Sequence, residues 1–182
     1  MTTIVYKYPF LVADQRLADE RSILGTSEKV FKLETRLGYV YTAYCGDAGL
    51  DNLISAVVIA IINEDQEVVV KSLKTIKDVI SEKVTVGGVV VFVPKVFYPA
   101  RTPTPVTYRV EPDFFLTKFT AEFRTDGSGG DVATGALGAG CSVWKALDIA
   151  SKHDLFTGYP FSGYNVLTGE YTIHAHPKSG WE

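Results

Sequence analysis

The chain is expected to adopt an α+β fold, because its strand-patterned and helix-patterned stretches fall in blocks rather than alternating. Strands come first, followed by two helices, more strands, two further helices and a closing strand pair. Segregated blocks of this kind suit layered α+β packing and not βαβ winding. Two antiparallel sheets packed together, with a helix pair outside each, satisfy the order as a four-layer αββα sandwich. Length supports one unit, residues 1–182, since 182 residues can bury a substantial core within a single domain.

Each element has its own signal. Residues 2–8 and 10–16 read as two short strands parted by Pro9, a hairpin at the start of the chain. Alternation places Asp14 and Arg16 on one face of the second strand. A polar connection follows through Asp19, Glu20, Arg21 and Gly25, and residues 30–33 and 39–43 form another strand pair around Gly38. Leu50, Leu53, Ile54, Val57, Val58 and Ile61 recur at helical spacing as one broad apolar face. Asp47 or Asp51 suits that helix's N-terminus. Val69, Leu73, Ile76 and Ile80 predict a second helix over about 69–80.

The middle of the chain is β-rich. Residues 86–93 read as a strand, and Pro94, Pro99, Pro103 and Pro105 then exclude a central strand and predict a loop or arm over about 94–112. Residues 107–110, 114–119 and 121–124 resume as strands. Asp126-Gly127-Ser128-Gly129-Gly130 opens a small-residue helix over 132–140, and a helix over 142–152 follows. Residues 164–167 and 171–174 close the chain as a hairpin around Thr168-Gly169.

Composition narrows the function classes. The chain is 46% hydrophobic and 21% charged with a net charge of -3, which describes a globular protein and makes no electrostatic case for nucleic acid. Cys45 and Cys141 form no metal or redox spacing. The start lacks a basic region followed by an apolar run, and residues 54–62 are too short to span a bilayer, so a cytoplasmic location and no membrane partner are expected. His174-Ala175-His176 places two imidazoles on one face, but no third metal ligand is evident, and both read as surface histidines.

The start Met1-Thr2-Thr3-Ile4-Val5 carries the most chemistry. If Met1 is removed, Thr2 holds a nucleophile and a base on one residue. Its hydroxyl can attack a carbonyl while its free α-amine, with an ordinary pKa of about 7.7–8.0, takes the proton. Five further segments accompany it in order: Ala13-Asp14-Gln15-Arg16, Glu28-Lys29-Val30-Phe31-Lys32-Leu33, Ala43-Tyr44-Cys45-Gly46-Asp47, Gly127-Ser128-Gly129 and Asp154-Leu155-Phe156-Thr157-Gly158.

Together these segments resemble the proteasome β-subunit family of N-terminal nucleophile hydrolases, with the stretch from Gly140 to Gly158 closest to bacterial and phage members. The likeness departs from the family pattern at three places: Gln15 stands where a small residue is usual, Thr157 replaces serine, and Tyr44 is bulky for its turn. Residues 73–110 match poorly.

The resemblance implies a threonine-type peptidase. Thr2 would be the nucleophile, Lys29 the ammonium beside it and Asp14 the partner that holds Lys29. A backbone N–H of the Cys45–Gly46 turn would stabilise the oxyanion. Ser128, Asp154 and Thr157 would hold the terminal amine and relay its proton. No cofactor or metal is needed. The family also implies self-association into a particle, such as a ring, with peptide or unfolded protein as substrate and an ATPase unfoldase as a further partner.

Each residue has a plainer reading. Asp14 and Arg16 read equally as a solvated edge-strand face, and Lys29 and Lys32 as surface lysines. Ser128 suits a helix N-cap, and Asp154 to Gly158 suits a helix stop. A catalytically inactive protein of the same fold, acting through assembly or protein binding, is the alternative to the peptidase; an amidase or acylase is a third.

Overall fold

The computed structural model describes residues 2–18, 22–46, 87–95, 104–110 and 116–176. The helices expected near 50–61 and 69–80 lie outside these residues. Two five-stranded antiparallel sheets dominate the rest. The first is ordered β10-β1-β2-β11-β12, built from β1 (Thr3–Lys7), β2 (Phe10–Asp14), β10 (Phe123–Gly127), β11 (Phe161–Asn165) and β12 (Tyr171–His174). The second is ordered β5-β6-β7-β8-β9, built from β5 (Val30–Glu34), β6 (Gly38–Cys45), β7 (Gly87–Pro94), β8 (Val106–Val110) and β9 (Leu116–Lys118). A two-stranded ribbon, β3 (Arg16–Ala18) with β4 (Ile23–Thr26), stands apart. The architecture is α+β.

Side-chain alternation sorts β1 and β2 between two cores. Ile4, Tyr6, Leu11 and Ala13 face the second sheet and pack with Val30, Tyr41, Ala43, Val89 and Val91. Val5 and Val12 face the other way, with Phe161, onto two helices, α1 (Gly130–Gly138) and α2 (Val143–His153). Small residues let α1 lie close, and Ala133, Ala136 and Leu137 form its buried face. Ser142 caps α2 by accepting the Lys145 N–H at 3.2 Å, and Lys152 and His153 in the last turn suit the negative end of the helix dipole. Val40, Tyr44, Val90 and Val110 form a third buried cluster with Leu33 and Phe92.

Several expectations need correction. The polar connection expected through Asp19, Glu20, Arg21 and Gly25 is not all connection: Ile23 to Thr26 pair with β3 as β4, which is exposed along its length and so leaves no alternation to read. The stretch 94–112 is not all arm. Pro94 closes β7 where it costs no central ladder bond, and Val106–Val110 lies between β7 and β9. The strand expected over 121–124 begins later, at Phe123, and runs to Gly127 because it pairs with all of β1. His174 is 8% exposed rather than on the surface, because its ring packs edge-on against Trp144 at 4.4 Å.

Leu147 on α2 is fully buried among Val5, Val12 and Phe161. Leu147→Ala is expected to destabilise the protein by about 2–5 kcal/mol, read as the change in unfolding free energy in urea.

Candidate active site

The chain start and four distant segments converge at one end of the first sheet. Thr3 pairs with Gly127, which sets Thr2 beside Ser128, and the Ser128 N–H donates to the Thr2 carbonyl at 3.0 Å. Thr2 is itself buried, 6% exposed. The contact depends on Gly127, whose φ is +93° and whose place a Cβ could take only 1.7 Å from the Thr2 oxygen.

Asp14 ends β2 in the middle of the sheet and is wholly buried, so the solvated edge-strand reading fails. Its carboxylate is saturated with donors. Oδ1 accepts the Thr3 N–H at 2.7 Å, and Oδ2 accepts the Arg16 N–H at 3.1 Å and the Gly158 N–H at 3.4 Å. The Lys29 ammonium adds contacts at 3.3 and 3.4 Å and donates to the Arg16 carbonyl at 2.5 Å. Lys29 is 8% exposed, so it is no surface lysine.

Burial pushes the Asp14 carboxyl up and the Lys29 ammonium down. Each is opposed by its partner's charge, and for Asp14 also by the N–H groups of Thr3 and Gly158. The Arg16 guanidinium adds a small further lowering at Lys29. A buried lysine held below its ordinary value exchanges a proton more readily near neutrality than a solvated one.

On the other side of Thr3, Ser128, Asp154 and Thr157 meet. Asp154 Oδ2 accepts the Ser128 hydroxyl at 2.7 Å and the Thr157 hydroxyl at 2.5 Å, while Oδ1 accepts the Phe156 N–H at 3.3 Å. Burial raises the Asp154 carboxyl, but the Thr157 and Ser128 hydroxyls and the backbone N–H groups of Phe156 and Thr157 outweigh it, and the net direction is down. Ser128 is therefore tied to Asp154 rather than capping α1, which carries no side-chain cap.

Thr3 is a residue that sequence reasoning passed over. Its Oγ1 accepts the Gly129 N–H at 2.9 Å and lies 2.5 Å from Thr157 Oγ1. Thr157 spends its one proton on Asp154, so the Thr3 hydroxyl donates to Thr157. Thr3 thus joins both halves of the site, with its amide on Asp14 and its hydroxyl in the Thr157–Asp154 chain. The available signal was adjacency: a residue next to Thr2 in a strand points to the opposite face.

Gly46 follows β6 at φ +135°. Val30 pairs with Ala43, so the register brings Lys29 beside the Tyr44–Cys45 end of the strand. Burial and the nearby Asp126 carboxylate push the Cys45 thiol up to about 11, and Lys29 exerts a weaker opposing pull. Cys45 donates to the Gly87 carbonyl at 3.4 Å. A neutral, hydrogen-bonded thiol is a poor nucleophile. Among the described residues no cluster of three or more His, Cys, Asp or Glu could hold a metal, and no helix is long and apolar enough to cross a membrane.

No protein-family model matches the chain, and no curated protein matches it. Solved structures do. An Anbu (ancestral β-subunit) protein from Yersinia bercovieri superposes with a TM-score of 0.70 at 9% identity, covering 95% of this chain and 86% of that one. The chain is similar to it in fold. The helical assembly of the Anbu complex from Pseudomonas aeruginosa gives 0.69 at 11% identity over 99% and 88% of the two chains. Anbu from Hyphomicrobium sp. strain MC1 gives 0.62 at 12% identity over 95% and 87%. Likeness at this level of identity speaks for the fold alone, and the role of each site residue rests on the geometry above.

Two measurements check the electrostatics. A carboxyl held below its ordinary value stabilises the fold fully above the unfolded pKa of about 3.9 and loses that contribution as pH falls through the folded value. The unfolding free energy of the parent should therefore exceed that of Asp154→Asn by a constant margin at neutral pH, and the margin should close under acid conditions. A margin that widens toward acid would contradict the assignment. Cys45 should be alkylated by iodoacetamide near neutral pH far more slowly than a free thiol; equal rates would show that its thiol is not pushed up.

Proposed function

We propose that the chain is an N-terminal threonine hydrolase, a peptidase whose nucleophile is Thr2 once the Met1–Thr2 bond has been cut. The observation that carries this reading is the convergence of a buried Lys29–Asp14 pair and a hydroxyl–carboxylate chain on Thr3, the neighbour of Thr2, with the Ser128 N–H on the Thr2 carbonyl. The plainer readings of Asp14, Lys29, Ser128 and Asp154 do not account for that convergence.

In the proposed reaction Thr2 Oγ attacks the scissile carbonyl, and the Thr2 α-amine accepts the hydroxyl proton. The adjacent ammonium of Lys29 favours the neutral amine and the developing alkoxide. A backbone N–H of the Cys45–Gly46 turn faces the oxyanion, a donor of a kind worth about 2.7–4 kcal/mol. The C–N bond breaks, the protonated amine returns its proton to the leaving nitrogen, and an acyl-enzyme ester on Thr2 remains. Water, deprotonated by the same amine, then releases the acid. Ser128, Asp154 and Thr157 orient the amine throughout.

Within the same reading the chain completes a four-layer αββα sandwich, which the buried face formed by Val40, Tyr44, Val90 and Val110 supports. It works as a homo-oligomer, a proposal supported by the Pseudomonas aeruginosa Anbu solved as a helical assembly. Peptides or unfolded protein are the substrate class, delivered by an ATPase unfoldase where the substrate is folded, in the cytoplasm. The second reading, a particle without catalysis, holds if the Met1–Thr2 bond stays intact, because an acylated Thr2 amine can accept no proton; the bulk of Tyr44 does not favour it, since that side chain packs with Val40, Val90 and Val110.

Hydrolysis of casein and of fluorogenic peptides separates the two. Protein whose intact mass shows loss of Met1 should cleave them, Thr2→Ala should be inactive, and Thr2→Ser should retain part of the rate. Undiminished cleavage by Thr2→Ala would overturn the mechanism, and absence of cleavage by the processed parent would favour the assembly reading.

A further inference from the structure

The peptide that carries Lys29 is gripped on two sides, and the proposed reaction uses only one of them. Residues 27–29 precede β5 and belong to neither sheet. Lys29 reaches Asp14 and the Arg16 carbonyl. Glu28, one residue earlier, reaches the residue between those two. Its Oε2 accepts Gln15 Nε2–H at 3.1 Å and the Tyr171 hydroxyl, and its Oε1 accepts the Ser162 hydroxyl at 2.9 Å. Gln15 is fixed in turn: its N–H donates to the Pro160 carbonyl and its carbonyl accepts the Ser27 N–H, both at 2.8 Å. Ser162 is wholly buried and Gln15 is 9% exposed.

We propose that Glu28 is a positioning residue for Lys29. Its carboxylate clasps Gln15, Ser162 and Tyr171 and so docks residues 27–29 along residues 14–16, which aims the neighbouring ammonium at Asp14. The physical need is clear. A lysine side chain has four rotatable bonds and loses much rotamer freedom when held. Burial also works against its charge. Only a fixed backbone origin keeps the ammonium on target, and residues 27–29 lie outside the strands, tied to residue 15 through the Ser27 N–H. A carboxylate taking three donors is the strong, charge-assisted form of such an anchor. Gln15 couples the grips, because one residue receives Glu28 while its two chain neighbours receive Lys29. The effect on turnover rests on the hydrolase reading; the clasp does not.

Competitive acetylation of the folded protein by acetic anhydride near neutral pH, followed by peptide mass mapping, reads the accessibility of Lys29 against exposed Lys118. In Glu28→Ala, Lys29 should react several-fold faster relative to Lys118 than in the parent. Glu28→Gln should stay parent-like, because a carboxamide with Gln15 turned over can make the same three contacts. The double variant Ser162→Ala/Tyr171→Phe removes two donors, leaves Glu28 in place and should move Lys29 in the same direction, which keeps the test open if Glu28→Ala folds poorly. In peptide hydrolysis Glu28→Ala should lower kcat by about 10²-fold at unchanged KM, with recovery in Glu28→Gln. Parent-like acetylation of Lys29 in both Glu28→Ala and the double variant would overturn the proposal. A parent that hydrolyses nothing would count against the hydrolase reading, while the acetylation ratio would still decide the clasp.

Discussion

The buried ion pair between Asp14 and Lys29 is the constraint on which the rest of the site depends. A carboxylate with no exposure is tolerable only when its charge is met on every side. Here the chain meets it with backbone N–H groups from residues 3, 16 and 158 and with the Lys29 ammonium. Those donors come from β1, the β2–β3 junction, the loop after α2 and the approach to β5. Satisfying one charge therefore fixes the relative positions of four segments that are far apart in sequence. Removing either partner would strand the other, so the pair organises the site and also makes it fragile.

Thr3 carries this order to the second half of the site. Its amide belongs to Asp14 and its hydroxyl to Thr157, which in turn belongs to Asp154. The strand β1 thereby holds its first residues between an acid paired with a base and an acid paired with two hydroxyls. The two carboxyls are driven in opposite directions, up at Asp14 by burial and down at Asp154 by hydroxyl and amide donors that outweigh its burial. Carboxyls pushed apart by their surroundings are the usual sign of divided labour at a site. The fold shared with the Anbu structures supplies the scaffold on which these contacts meet.

Much of this was legible in the sequence, for physical reasons. β1 and β2 read as short apolar runs parted by Pro9, because both faces of their sheet are buried. Asp14, Lys29, Ser128, Asp154 and Thr157 stood out through their order along the chain, and the structure brings them together around the chain start. What stayed hidden depended on contacts more than 100 residues apart. Nothing local says that Asp14 is buried, since a carboxylate two residues before an arginine in a strand reads as solvated. Thr3 and Glu28 looked ordinary because their partners, Gly129 and Thr157 for one and Ser162 and Tyr171 for the other, lie on the far side of the fold. The β3–β4 ribbon escaped notice because it buries too little to leave a pattern.

If the Asp14–Lys29 pair sets up a nucleophile at residue 2, a peptide electrophile at neutral pH should leave a covalent adduct on Thr2 of a chain that begins at Thr2. Tandem mass spectrometry locates that adduct, and it should be lost in folded Asp14→Asn. An adduct on Cys45, or labelling of Thr2 that is indifferent to Asp14→Asn, would overturn the proposed role of the pair.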